Sequence, residues 1–151
     1  MDRNMRNFVT IAAVGLALAG CSKPRVIEIE DAWVRMPAVP TRPGAAYFTI
    51  EGGPADTTLV NVSADFAIRA EMHESMSGSG GMTSMRPIAR VAIPAAKEVT
   101  FAPGGLHVML FDVDQRARQV GAMLLTFTFA DGSHMQRKAY LVNAGDPAPE
   151  S

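Results

Sequence analysis

The 151-residue chain carries 14 Lys and Arg residues against 15 Asp and Glu residues, and its formal net charge is −1 at pH 7. A balanced charge with no basic patch argues against nucleic acid as a partner. The chain has a single cysteine, so no disulfide can form within it and a thiolate metal cluster is excluded.

The N-terminal segment 1–20 predicts a secretory signal of the lipoprotein type. Arg3 and Arg6 form a short basic region, and an apolar run follows over 8–19. That run is too short to cross a bilayer as a permanent helix. The sequence LALAGC resembles a bacterial lipoprotein cleavage box, which implies that Cys21 becomes the lipidated first residue of the mature protein. The alternative is an ordinary cleaved signal that leaves Cys21 as a spare thiol.

A lipid on Cys21 implies a periplasmic protein that is anchored to the bacterial membrane and does not span it. Ser22 in the following position resembles the signal for sorting to the outer membrane. We expect residues 21–25 to form a tether, residues 26–143 a single domain, and residues 144–151 a disordered tail.

The mature chain shows short alternating segments separated by glycine- and proline-rich turns. The first predicted strand spans 26–36 and contains Trp33 as a core anchor. Further strands are predicted at 45–52, 56–63, 66–73, 85–88, 91–94, 97–101, 106–111, 120–129 and 134–142. Residues 112–118 form a loop or one helical turn, and no helix of three turns is predicted. This pattern favours an antiparallel two-sheet β-sandwich over an α/β fold.

The strand LHVMLF carries the sharpest chemical signal. Side chains alternate along a strand, so we expect Leu106, Val108 and Leu110 to face the core. His107 and Met109 then lie on the outer face. Imidazole nitrogen and thioether sulfur suit Cu(I) better than Mg, Ca or a structural zinc site. The alternative is a half-buried strand in which the histidine and the methionine occur by chance.

A second group of soft donors precedes this strand. The alternation over 66–73 places Met72 on the apolar face with Phe66, Ile68 and Ala70, and it places His73 on the polar face. The glycine- and serine-rich residues 75–84 predict a hairpin tip, which the chain leaves through Met85. Pro87 predicts an edge strand. Met72 and Met76 could assist a metal site, although core packing and loop filling explain them as well.

The motifs DAWVR, GAAYFTI, MHE, MRPI, PGGLHVMLF and TFTF together resemble the periplasmic copper chaperones of the PCu(A)C type. That family has a histidine, a methionine about ten residues later, a longer gap of fixed length, and then His-x-Met. Here the gap between Met85 and His107, at 86–106, has the length that the family shows. The gap between His73 and Met85, at 74–84, is one residue longer than in the family. Met82 is a second candidate for this methionine, but it would make the later gap three residues too long.

The resemblance implies that Cu(I) is the bound metal and that its ligands are His73, Met85, His107 and Met109. It also implies a Greek-key β-sandwich of the cupredoxin type. The implied role is to pass copper toward the binuclear site in cytochrome c oxidase subunit II, alongside a thioredoxin-like partner of the Sco type. Such a protein is a metal carrier and not an enzyme.

Two other functions fit parts of the sequence. A copper-sequestering resistance or storage lipoprotein would use the same ligands, and a metal-free interaction module of the envelope would use the methionine-rich loop for docking. An enzyme is disfavoured because the chain has no glycine-rich nucleophile elbow. His134 and Met135 repeat the donor chemistry, but they lie inside a predicted strand, and the tail after Asn143 lacks both residue types.

Overall fold

The computed structural model describes residues 26–78, 80–81 and 83–149. The predicted signal at 1–20, the tether with Cys21 and Ser22, and the alternative donor Met82 lie outside the described residues. The described chain forms ten strands and one short helix, which confirms the all-β prediction. In chain order they are β1 (Glu28–Arg35), β2 (Gly44–Glu51), β3 (Thr57–Ala64), β4 (Ala67–Ser77), β5 (Thr83–Pro87), β6 (Val91–Ile93), β7 (Glu98–Phe101), β8 (Leu106–Val113), α1 (Ala117–Val120), β9 (Ala122–Phe129) and β10 (His134–Val142).

The strands form one continuous hydrogen-bonded order, β5-β4-β8-β7-β2-β1-β10-β9-β3-β6, and β8 also pairs with β2. The pairs are antiparallel as predicted, except that β1–β10 and β7–β8 are parallel. Consecutive strands β3 and β4 lie near opposite ends of this order yet contact each other, so the sheet folds over into two layers. In the ranges that the structure describes, no helix has the length and apolar character to cross a membrane.

Aromatic side chains from both layers meet in the core. The ring of Phe48 on β2 stacks on Phe101 with centroids 4.4 Å apart, and it meets the edge of Phe127 on β9 at 4.7 Å. Trp33 is buried, but it is not the predicted core anchor, because it pairs with Tyr47 and packs on that ring at 4.4 Å, on the face of the sheet opposite Phe48. The side chain of Phe48 therefore points into the core, while the preceding residue on β2, Tyr47, lies on the opposite face of the strand.

The alternation predicted for β4 fails at its beginning. The pattern predicts Ile68 on the apolar face, but its side chain is 85% exposed. The backbone of the partner strand β8 explains the difference. Asp112 on β8 adopts φ +53°, a left-handed conformation that aspartate tolerates better than most residues. The alternation of β8 breaks there, so Val113 turns into the core, and its partner Ala67 packs inward in place of Ile68.

The segment after β10 makes specific contacts. The Arg35 guanidinium donates hydrogen bonds to the backbone carbonyls of Asn143 and Asp146 at 3.3 and 2.6 Å. The side-chain amide of Asn143 donates to the Asp146 carboxylate at 3.2 Å. Of the tail expected to be disordered, at least the described part near Asp146 is therefore held against β1.

Candidate metal centre

The pairing of β4 with β8 places two histidines face to face. His73 lies directly opposite His107 in the antiparallel register, and their ring centroids are 5.9 Å apart. Residues two apart on a strand share a face, so Met109 lies on the same side as His107. Glu71 lies on that side too, two residues before His73 and opposite Met109.

Edge strand β5 brings the second predicted methionine to the same face. Met85 pairs with Ser75, which is two residues beyond His73 on β4. All four predicted donors therefore lie on one face of three adjacent strands, β5, β4 and β8. A pocket of about 440 Å³ is lined by Met85, His107 and Met109, together with Tyr47. His73 does not line this pocket and adjoins it through the ring of His107.

The histidines are less exposed than the predicted outer face suggests. His107 is only 6% exposed, and the side chain of His73 is 12% exposed. The alternation on β8 is as predicted. Tyr47 on β2 and the turn at 103–104 line the same pocket as His107, so parts of the chain distant in sequence lie around this histidine. Met109 is half-buried, whereas Met85 is 58% exposed.

A backbone carbonyl fixes the orientation of His107. Its Nδ1 lies 2.9 Å from the carbonyl oxygen of Gly105. A carbonyl can only accept, so Nδ1 must carry the proton, and the lone pair of the neutral ring is then on Nε2. The turn before β8 positions this carbonyl, because Gly104 adopts φ +83°, a conformation that glycine reaches without strain.

His73 is held differently. Its Nε2 lies 3.1 Å from Oε2 of Glu71, and the other oxygen of Glu71 forms an ion pair with Arg69. Nδ1 of His73 is buried, and among the described residues it is the one buried side-chain nitrogen or oxygen without a hydrogen-bond partner. The pKa of the Glu71 carboxyl lies below its usual value, mainly because of the hydrogen bond with His73. The positive charge of Arg69 lowers this pKa further.

The remaining candidate donors lie elsewhere. Met72 is buried in the core, and Met76 pairs with Ser84 on the face opposite Met85. His134 contacts the Thr128 hydroxyl at 3.0 Å on β10, and Met135 packs against the core. Across the described ranges, no three His, Cys, Asp or Glu side chains are grouped so that they could hold a metal.

Sequence reasoning overlooks two groups at this site, the carboxylate of Glu71 and the carbonyl of Gly105. The signal for Glu71 is present in the alternation, because a residue two positions before His73 on a strand must share its face. The Gly105 carbonyl could not be found in this way, since its role depends on the course of the turn.

The fold is shared with solved structures of copper-related domains. The copper-bound PCuAC domain from PmoF2 is 21% identical, with a TM-score of 0.62, and the match covers 78% of this chain and 92% of that one. The solution structure of CuI-DR1885 from Deinococcus radiodurans is 24% identical, with a TM-score of 0.57 and coverage of 86% and 85%. At the level of the fold, these likenesses confirm the predicted resemblance to PCu(A)C proteins and the predicted cupredoxin-type sandwich.

Sequence comparison gives a relative and a family. The protein named "Putative lipoprotein Lxx21020" from Leifsonia xyli subsp. xyli is 26% identical over 137 residues, which cover 82% of this chain and 81% of the relative. A family model described as "Putative lipoprotein LpqE-like" matches residues 27–140, which is most of the chain and includes strands β4 and β8 with His73 and His107. The chain therefore belongs to the LpqE-like lipoprotein family.

Proposed function

We propose that this protein is a copper carrier that binds one Cu(I) ion through His73, Met85, His107 and Met109. The observation that carries the proposal is the register of β4 with β8. It sets the two histidines opposite each other, on the face that also bears both methionines, and one buried imidazole nitrogen there has no partner. A soft monovalent cation would supply the missing partner.

The donor set favours Cu(I) over other biological metals. Two neutral imidazoles and two neutral thioethers offer no negative charge, which disfavours the hard divalent ions that seek oxygen. The copper-bound PmoF2 domain and CuI-DR1885, which share the fold, support copper as the ion. Thioethers hold Cu(I) less strongly than thiolates, so transfer to a cysteine-rich acceptor is favourable.

The difference in exposure between the donors suggests how the ion could enter and leave. The histidines are buried or nearly buried on the inner strands β4 and β8, whereas Met85 is largely exposed on edge strand β5. Gly80 and Gly81 precede β5 and both have positive φ, so the hairpin tip relies on glycine conformations. We infer that Met85 is the ligand that an acceptor displaces first, while the two histidines retain the ion until the exchange is complete.

The cellular role that follows is delivery from a membrane anchor. We propose that the protein is periplasmic, that it is tethered through lipidated Cys21, and that it passes copper toward the copper site of cytochrome c oxidase subunit II. A thioredoxin-like protein of the Sco type would be the intermediate acceptor or a co-worker. Membership in a lipoprotein family supports the anchor.

Anaerobic titration with Cu(I) against a colorimetric chelator tests the binding proposal. We expect one Cu(I) per chain and a rise in melting temperature on loading, because a ligand that binds only the folded state stabilises it. X-ray absorption of the loaded protein should show nitrogen and sulfur scatterers together. A protein that neither takes up Cu(I) nor melts at a higher temperature would favour a metal-free interaction module of the envelope.

Delivery and storage are separated by a cellular measurement. If the protein delivers copper, deleting its gene should lower cytochrome c oxidase activity in cells grown at low copper, and added copper should restore that activity. If it sequesters copper, deletion should leave oxidase activity unchanged and make the cells sensitive to excess copper.

The anchor gives a separate prediction. Replacing Cys21 with serine should move the protein from the membrane fraction to the soluble envelope fraction, because the lipid attaches through the thiol. Fractionation followed by immunoblotting measures this. The purified C21S domain should bind Cu(I) as the wild type does, since Cys21 is not among the proposed ligands. A C21S protein that stays on the membrane would contradict lipid anchoring.

A further inference from the structure

We infer that Glu71 is a positioning residue, which fixes the ring of His73 so that Nδ1 is the nitrogen presented to the metal. The inference rests on the proposed function and goes beyond it. The two histidines would then bind the same ion through different nitrogens, His73 through Nδ1 and His107 through Nε2.

The hydrogen bonds of the two rings lead to this assignment. An ionised carboxylate can only accept, so the contact of 3.1 Å between His73 and Glu71 requires Nε2 of His73 to carry the proton. The lone pair of the neutral ring is then on Nδ1, the buried atom that has no partner. Buried polar atoms are nearly always hydrogen-bonded in folded proteins, so a buried lone pair without a partner points to a ligand.

Glu71 is itself held in place from two sides. One carboxylate oxygen contacts His73, and the other forms an ion pair with the guanidinium of Arg69. That guanidinium lies over the ring of Phe111 on β8, 3.9 Å from its centroid. The resulting chain from Phe111 through Arg69 and Glu71 to His73 has the form of the carboxylate–histidine–metal arrangements that orient a ligand and raise its basicity.

Glu74 provides a matched control for Glu71. It is on the same strand, and its carboxylate also pairs with an arginine, Arg86, at 2.7 Å. Its position one residue from His73 places it on the opposite face of β4. Replacing Glu74 therefore makes the same change in charge and removes a similar ion pair without touching the ring.

The first experiment needs no copper. Long-range proton–nitrogen correlation spectra of the metal-free protein, recorded at mildly alkaline pH, report which ring nitrogen of each histidine carries the proton. We expect the wild type to show protonated Nε2 at His73 and protonated Nδ1 at His107. The variant E71A should lose the Nε2–H preference at His73, E71Q should retain it because its amide oxygen still accepts, and E74A should not change it.

The second experiment measures Cu(I) affinity in the same variants. We expect E71A to bind about 10- to 100-fold more weakly, the usual effect of losing a partner of a ligand, and E71Q and E74A to bind as the wild type does. Protonated Nδ1 at His73 in the wild type, or a His73 tautomer unchanged in E71A, would overturn the inference. A wild type that binds no Cu(I) would end the proposed function, and the tautomers would still decide the role of Glu71.

Discussion

Replacing His107 with alanine is expected to weaken Cu(I) binding by more than about a hundredfold. This exceeds the loss that is typical when a residue that only hydrogen-bonds to a metal ligand is removed. The substitution removes one of two imidazole donors from a site that has no anionic ligand to compensate. His73→Ala should have a similar effect, because the two rings face each other across adjacent strands. Competition titration under anaerobic conditions measures both affinities.

The chain offers a control for the histidine variants. His134 lies on β10, where it contacts the Thr128 hydroxyl, and it is exposed. His134→Ala should leave the affinity unchanged and the stoichiometry at one ion per chain. Because His107 is buried, the melting temperature of each metal-free variant must be measured as well. Equal affinities in the wild type and in a folded His107→Ala variant would refute the proposed ligand set.

The methionines allow a comparison in which burial plays little part. Met85 and Met76 are both exposed and lie on neighbouring strands, but they point to opposite faces. On the proposed ligand set, Met85→Ala weakens Cu(I) binding and Met76→Ala does not. A smaller loss for Met85 than for the histidines would agree with its proposed role as the ligand that leaves first.

The alternation of apolar and polar residues is enough to predict most of the strands and the side of each strand on which the histidines lie. Alternation over LHVMLF puts His107 and Met109 together, and alternation over 66–73 puts His73 on the matching face of its own strand. Both predictions agree with the structure because a strand has a side-chain period of two wherever its backbone is regular. The edge position of β5 follows from Pro87, which cannot donate a hydrogen bond to a neighbouring strand.

Features that depend on distant parts of the chain could not be predicted in this way. The pairing of His73 with His107 depends on the register between β4 and β8, which turn and core packing set jointly. His107 is buried beside a pocket that Tyr47 and the turn at 103–104 also line, and nothing in LHVMLF signals these neighbours. Ile68 is exposed because Asp112 breaks the alternation of the partner strand.

Replacing Phe48 with alanine is expected to lower the free energy of unfolding by about 3–5 kcal/mol, the usual cost of emptying a large aromatic site in a core. Phe48 is almost fully buried and contacts Phe101 in its own layer and Phe127 in the other layer. The loss is a large part of the roughly 5–15 kcal/mol that stabilises a typical domain. Chemical denaturation followed by tryptophan fluorescence measures it through Trp33, the single tryptophan.

The same strand allows stability and metal binding to be separated. Phe48 points into the core, while the adjacent Tyr47 lines the pocket with His107 and Met109. The milder variant Phe48→Leu should therefore lower stability and leave the Cu(I) affinity of the folded protein close to that of the wild type. Tyr140→Ala, which removes an exposed aromatic ring, should change stability by less than about 1 kcal/mol. If Phe48→Leu lost copper in proportion to its loss of stability, the site would depend on the whole core, and the four donors on one face would not be sufficient to define it.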